Sequence, residues 1–500
     1  MPRRRSGGSR GRRGLVDYAG MTDDSAPTRR DTPPPARLGG PALLGEPYLL
    51  DPGASSVYVV WHTEHPGTAQ YVLVGPQVAE MTPEQALAAA TEEPGSAPGW
   101  RRFAARTSRL TRTREDPESR VPGRHYTAVT DRPVYRSLVR VTGLAPGRTP
   151  YRVVSIDQAG RATVTSAYSL APAAPRRSGV RLLLTSDHQL MAMTPANLEK
   201  VAETVGVRLD GVLMAGDFVN VADRASDWFD SASGTAFFAV MSGRAARTIA
   251  GRTYRGAPLL QHTPLYPAIG NHEVMGRWSD TASLNSQFND AYPRPAVLEP
   301  PPGRRPSGGD RARWLAARSW DVTTYEELFP HPRSLAGGPR WWSRRIGDVH
   351  VITLFATVVW RPARTDGAGK FAEGPAVLAD PDRWGHGQFI FEPVHRDSAQ
   401  YRWLERELTS TDARTARYRV VMYHHPSHGL GENSVPAFTD PVRTVERDPV
   451  TGSVTAVRYD YPLAADQVLR DLEPLFSRTG VHLVHNGHAH LWNRFRNPAG

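Results

Sequence analysis

Pro264-Leu265-Tyr266-Pro267-Ala268-Ile269-Gly270-Asn271-His272-Glu273 is an apolar run that ends in a glycine and three polar side chains. The run has the length of a buried strand, and the glycine allows a tight turn at its end. The same arrangement recurs along the chain. Val180-Arg181-Leu182-Leu183-Leu184 leads to Ser186-Asp187-His188-Gln189, and Gly211-Val212-Leu213-Met214 leads to Gly216-Asp217. An apolar run at 419–423 ends in His424, and one at 481–485 leads to Gly487-His488-Ala489-His490. A helical stretch from Ala196 to Val205 lies between the first two runs, and apolar spacing predicts helices over 398–408 and 464–476. Strands alternating with helices indicate α/β layers. Open α/β sheets build their sites just past the C-terminal ends of their strands, where all these polar side chains fall.

The chain has no cysteine, so any metal must be held by oxygen and nitrogen donors. The Asp, Asn and His residues at the strand ends suit a pair of divalent or trivalent cations. The physical expectation is that Asp217 bridges two metals. Asp187 and His490 then hold the first, while Asn271, His424 and His488 hold the second. His272 stays unligated beside them, as an acid or as a charged contact to a phosphoryl group. Glu273 stands behind, fixing His272 or a ligand. Two metals in this setting would present a bound hydroxide for attack on phosphorus.

The rest of the chain frames that centre. It has 500 residues, 39% hydrophobic and 22% charged, which is ordinary for a globular protein with a large core. No apolar run approaches the roughly 18 residues of a membrane span. The net charge of +11 comes almost wholly from Arg, since Lys200 and Lys370 are the only lysines. Residues 1–46, with six Arg within positions 3–13, read as a disordered Arg/Pro-rich tail. The tail lacks the apolar core of a signal peptide, so the default compartment is the cytoplasm, with export open if Met21 is the true start. Residues 47–170 read as all-β: Val57-Tyr58-Val59-Val60-Trp61, Tyr71-Val72-Leu73-Val74, Ser137-Leu138-Val139-Arg140-Val141 and Tyr151-Arg152-Val153-Val154 are strand-like. The Arg-rich stretch 91–124 is expected as an insertion in that sandwich, 171–179 as a linker, and 180–500 as the α/β domain. Stretches 291–312 and 361–397 are expected as long loops over the site, and 491–496 as a strand.

The ordered set Ser-Asp-x-Gln, Gly-Asp, Gly-Asn-His-Glu, Val-x-x-His and Gly-His-x-His resembles the calcineurin-like metallophosphoesterases, most of all the purple acid phosphatase branch. The pattern Leu144-x-Pro146-Gly147-x-x-x-Tyr151-Arg152-Val153 resembles a fibronectin type III domain, which that branch often carries in front. The resemblance covers about residues 55–500. It implies a metallophosphoesterase β-sandwich core flanked by helices, preceded by an all-β fibronectin-like sandwich. It also implies a phosphate-ester hydrolase with two metal ions, drawn from iron, manganese or zinc. Two positions depart from the family pattern. Gln189 stands where the family has His or Gly, and Asn220 stands where the purple branch has its iron-binding Tyr. Gln189 is therefore the expected fourth ligand of the first metal, through its amide carbonyl, and the tyrosinate colour should be missing. His188, Asn220, His425, His428 and Arg494 are expected to back the ligands or touch the substrate.

Two further readings compete with the hydrolase. One is a weakened relative that binds a phosphorylated ligand because its first metal site is incomplete. The other is a nuclease of the same superfamily, disfavoured because the positive charge is diffuse and the accessory domain is sandwich-like. Substrate, mono- or diester preference and oligomeric state are not legible in the sequence, nor is whether the chain continues past Gly500.

Overall fold

The five apolar runs do form strands, and they are distributed over two sheets. In the computed structural model, which describes residues 37–92, 99–297, 309–331, 339–359, 371–428, 433 and 436–496, Leu182–Thr185, Gly211–Met214 and Pro264–Pro267 pair side by side in parallel. Tyr418–Met422 and Leu483–His485 pair in parallel in a second sheet, next to Val349–Thr353 and Trp342–Ile346. The inner faces meet through Leu213, Tyr266, Trp342, Val351, Val420 and Met422, all buried. This is a β-sandwich whose parallel strands point the same ends toward one edge. Among the described residues eleven α-helices accompany the strands, making the architecture mixed α/β.

Helix Ala399–Leu408 shows how sequence sets position. Ser398 caps it by accepting from the Tyr401 N–H, and Tyr401, Trp403, Leu404 and Leu408 form its buried stripe. Gln400 on the same face bonds both the N–H and the C=O of Phe355, fixing the helix to the end of a core strand. The helix expected over 464–476 is broken up. A π-turn occupies Val468–Leu472 before the α-helix Glu473–Thr479, because Pro474 has no N–H to continue an ordinary ladder.

The N-terminal β region is continuous with the α/β part. Tyr48–Gly53 pairs in parallel with Pro264–Pro267, so one seven-stranded sheet runs from 182–185 across to 106–109. A six-stranded sheet faces it, built from Ala69–Val74, Thr149–Ile156 and their neighbours, around Trp61, Val72, Val153 and Tyr151. Residues 36–500 accordingly cluster as one unit. Residues 37–46, expected in the tail, run along this sandwich, with Arg37–Leu38 pairing on Arg161–Val164. The tail before them lies outside the described residues, as do 298–308 and 360–370 in the two expected loops.

Two further expectations fail. Residues 91–124 are not an insertion: Arg101–Ala104 and Arg106–Arg109 are strands of the two sandwich sheets. Arg at 101, 102, 106 and 109 hid the strand pattern, because only Phe103 and Thr107 in these segments are strand-favouring residues. Residues 491–496 are not a strand. Leu491, Trp492 and Phe495 are exposed there, and among the described residues no strand pairs with them.

Candidate metal centre

Five strand ends deliver the polar residues to one place, and two glycines make the convergence possible. Gly216 has φ +94°, and a Cβ on it would lie 2.6 Å from the Gly270 nitrogen and 2.8 Å from His424 Nδ1. A Cβ on Gly487 would lie 2.0 Å from Ser186 Oγ and 2.6 Å from Asp187 Oδ2. Nine non-glycine residues have positive φ among the described residues, and five of them are Asp187, Gln189, Asp217, His488 and His490. Backbone strain concentrated in this way marks a site whose geometry is imposed by its surroundings.

Asp217 is at the middle. Its Oδ2 lies 3.1 Å from His424 Nε2, and its Oδ1 accepts the His272 backbone N–H at 3.0 Å. Asn271 Oδ1 lies 3.1 Å from His424 Nε2 and 3.1 Å from His488 Nδ1. His424 donates Nδ1–H to the Ala215 carbonyl at 2.7 Å, which turns Nε2 toward this cluster. Burial alone would push the His424 ring down, but the Asp217 carboxylate beside it wins and raises it to about 9. Burial likewise opposes ionisation of Asp217, and His424 and His272 overcome it, so its carboxyl is lowered. A cation beside Asp217 would supply the positive charge that otherwise draws a proton onto His424.

Asp187 accepts the His488 backbone N–H at 2.9 Å on Oδ1 and 3.0 Å on Oδ2, and His490 Nε2 lies 3.5 Å from its Oδ1. Ligand atoms of Asp187, Asp217 and His424 lie within 4.8 Å of one another, as do those of His424, His425 and His488. The donor set is carboxylate, amide oxygen and imidazole, which fits divalent cations of intermediate hardness.

Gln189 is in the cluster, but turned. Its Nε2 donates to Asp217 Oδ2 at 3.0 Å, and its Oε1 is buried without a hydrogen-bond partner. An unpaired buried amide oxygen is costly, and a cation would satisfy it. Glu273 bonds backbone: its Oε2 accepts from the N–H groups of Asp217 and Gly270, and its Oε1 from Phe218, each at 2.8 Å. Burial and the neighbouring Asp217 carboxylate raise Glu273 to about 8. His272 Nδ1 meets the Asn220 carbonyl at 2.7 Å, and its ring stacks on Phe288 at 4.9 Å. Asn220 thus enters through its backbone.

Of the remaining expected residues, His425 joins His424 and His488, while His188, His428 and Arg494 bond or face elsewhere. His188 is buried against Phe237 with Nε2 on Thr185 Oγ1, and burial lowers it to about 4. His425 bonds Thr357 Oγ1 and is held neutral by burial, with His488 and His424 adding to the effect. His428 turns outward to Glu473 at 3.0 Å, and Arg494 is exposed.

Sequence reasoning missed the groups behind the centre. Arg112 and Arg114 pair with the buried Asp223 at 3.0 and 3.4 Å, just after the Asp217 loop. Arg114 also donates to Gln287 Oε1 at 2.7 Å, and Asp116 accepts the Leu284 N–H at 2.8 Å. These bonds hold helix Leu284–Phe288, whose last residue stacks on His272. Thr357 was missed as well. Its place beyond the end of Val349–Thr353 was the available signal.

No family model matches the chain, and no curated protein matches it. Solved structures do. A purple acid phosphatase from yellow lupin (Lupinus luteus) seeds aligns with TM-score 0.47 and 14% identity, over 89% of this chain and 58% of that one. PhoD aligns with TM-score 0.39 and 14% identity, over 88% of this chain and 70% of that one. The chain therefore spans somewhat more than half the length of the lupin enzyme. Among the described residues no helix is long and apolar enough to cross a membrane.

Proposed function

We propose that this chain is a metal-dependent hydrolase of phosphate esters with a two-cation centre. The observation that carries the reading is the convergence of Asp217, Asn271, His424 and His488 from four strand ends, with Asp187 beside them. Asp217, Asn271, His424 and His488 would hold one cation. Asp187, Asp217, His490 and the Gln189 amide oxygen would hold the other. When bound, such a pair supplies Lewis acidity to a water molecule and to the phosphoryl oxygens.

The chain's own residues do the rest. Asp217 keeps both sites at one spacing, because Glu273 pins its backbone. His424 keeps Nε2 on the site because Nδ1–H is committed to Ala215. His272, with Nδ1 on the Asn220 carbonyl and its ring against Phe288, keeps Nε2 for the ester. There it holds a proton against a phosphoryl oxygen or passes it to the leaving oxygen.

Removing metal with a chelator, then restoring manganese, iron or zinc, tests this on chromogenic phosphomonoesters and diesters. Hydrolysis that is lost and regained supports the reading, and no hydrolysis with any metal on either ester sinks it. A second reading, a phospho-ligand binder with one weak site, is favoured by the Gln189 amide nitrogen on Asp217. Metal content separates the two: two ions per chain support the hydrolase, one or none the binder.

A further inference from the structure

We propose that His425 supplies a third imidazole to the cation held by Asp217, Asn271, His424 and His488, making that site nitrogen-rich and selective for zinc or cobalt over iron or manganese. This rests on the two-cation reading above. The ligand nitrogens of His424, His425 and His488 lie within 4.8 Å of one another, close enough to face a single ion. His425 is 1% exposed, and its Nε2 is sealed from solvent with no hydrogen-bond partner.

Its other nitrogen is committed. Nδ1 meets Thr357 Oγ1, and the backbone N–H bonds the Ala356 carbonyl at 3.3 Å. A histidine that donates Nδ1–H to a fixed oxygen presents a lone pair at Nε2, which is how ligating histidines are commonly oriented. The ring stacks on that of His488 with centroids 4.0 Å apart and meets that of His424 edge-on at 5.2 Å.

Two blander roles fit less well. A contact to substrate needs an accessible atom, and Nε2 is closed off. A core histidine explains burial alone: His62, His188 and His331 also keep a buried nitrogen without a partner. Of these four, only His425 sits among other candidate ligand nitrogens. Imidazole donors shift a site's preference from hard oxygen-loving ions toward zinc, cobalt and nickel.

The test uses the full chain stripped of metal and titrated with zinc against a chromogenic chelator. His425→Asn should weaken one of the two ions by more than the roughly 10–100-fold that a lost supporting partner costs, and leave the other unchanged. Thr357→Val should fall within that 10–100-fold range. The visible spectrum of the cobalt-loaded protein should change in His425→Asn. Wild-type affinity and spectrum in His425→Asn would overturn the inference while leaving the two-cation reading intact. A wild-type chain that binds no ion would overturn both. If His425→Asn does not fold, zinc-soaked wild-type crystals decide. An ion about 2.0–2.1 Å from His425 Nε2 supports the assignment, and an ion bound without it refutes it.

Discussion

Glu273 Oε2 accepts a hydrogen bond from the backbone N–H of Asp217 at 2.8 Å. The same oxygen accepts from Gly270 and the other oxygen from Phe218, so one buried carboxylate ties the loops that carry Asp217 and Asn271. Glu273→Gln would turn an amide N–H toward a backbone donor. It should destabilise the fold by ~1–3 kcal/mol. It should also weaken metal binding about 10–100-fold. Urea unfolding and a chelator titration measure the two effects, and unchanged values in both would remove Glu273 from this role.

Phe288 stacks on His272. Phe288→Ala should free the imidazole to leave its Asn220 partner. The expected result is a fall in kcat of about 10-fold, a part of the 10²–10⁴ that a positioned acid contributes, with metal content unchanged. Steady-state kinetics together with metal analysis tests this. A normal kcat, or a fall that only tracks metal loss, goes against it.

Arg114 reaches the same helix from the sandwich, through Gln287 and the buried Asp223. Arg114→Ala would leave a buried carboxylate short of one partner, with Arg112 still beside it. It should cost ~3 kcal/mol of stability. Because the contact supports Phe288, the kcat losses of Arg114→Ala and Phe288→Ala should be less than additive in the double variant. Strict additivity would show that the two act separately.

This network also shows where the sequence stopped being legible. The candidate ligands could be read because each follows an apolar run and a turn within a few residues. Arg112, Arg114 and Asp116 gave no such signal. Their partners, Asp223, Gln287 and Leu284, lie more than a hundred residues away, and pairing at that distance leaves no local pattern. Gln189 could be flagged as the odd ligand, but not the direction of its amide. His425 was read as backing the ligands or touching the substrate, because adjacent histidines do not reveal which of them face one point. The 491–496 segment was misread because strand-type residues such as Leu491, Trp492 and Phe495 form a strand only where another strand pairs with them.

Asp227 lies on the sandwich side of the centre, its carboxylate accepting the Val221 N–H at 3.2 Å. Burial pushes it up from 3.8 to about 7, against the pull of Arg224. The folded chain then keeps a proton that the unfolded chain has already released. Stability should therefore fall as pH rises from about 4 to about 7, by up to ~1.4 kcal/mol per unit from this group. Asp227→Asn should flatten that slope. Denaturation midpoints between pH 5 and 8 that fall equally in both proteins would contradict the assignment.

The proposed two-cation hydrolytic centre shared through Asp217 stands or falls on metal stoichiometry measured alongside hydrolysis. Purified full-length protein, loaded and freed of excess metal, should carry two ions per chain by mass spectrometry and hydrolyse a chromogenic phosphate ester. Asp217→Asn should lose both ions and the activity together. Two ions retained in Asp217→Asn, or a fully loaded wild-type protein that cleaves neither monoester nor diester, would contradict the account.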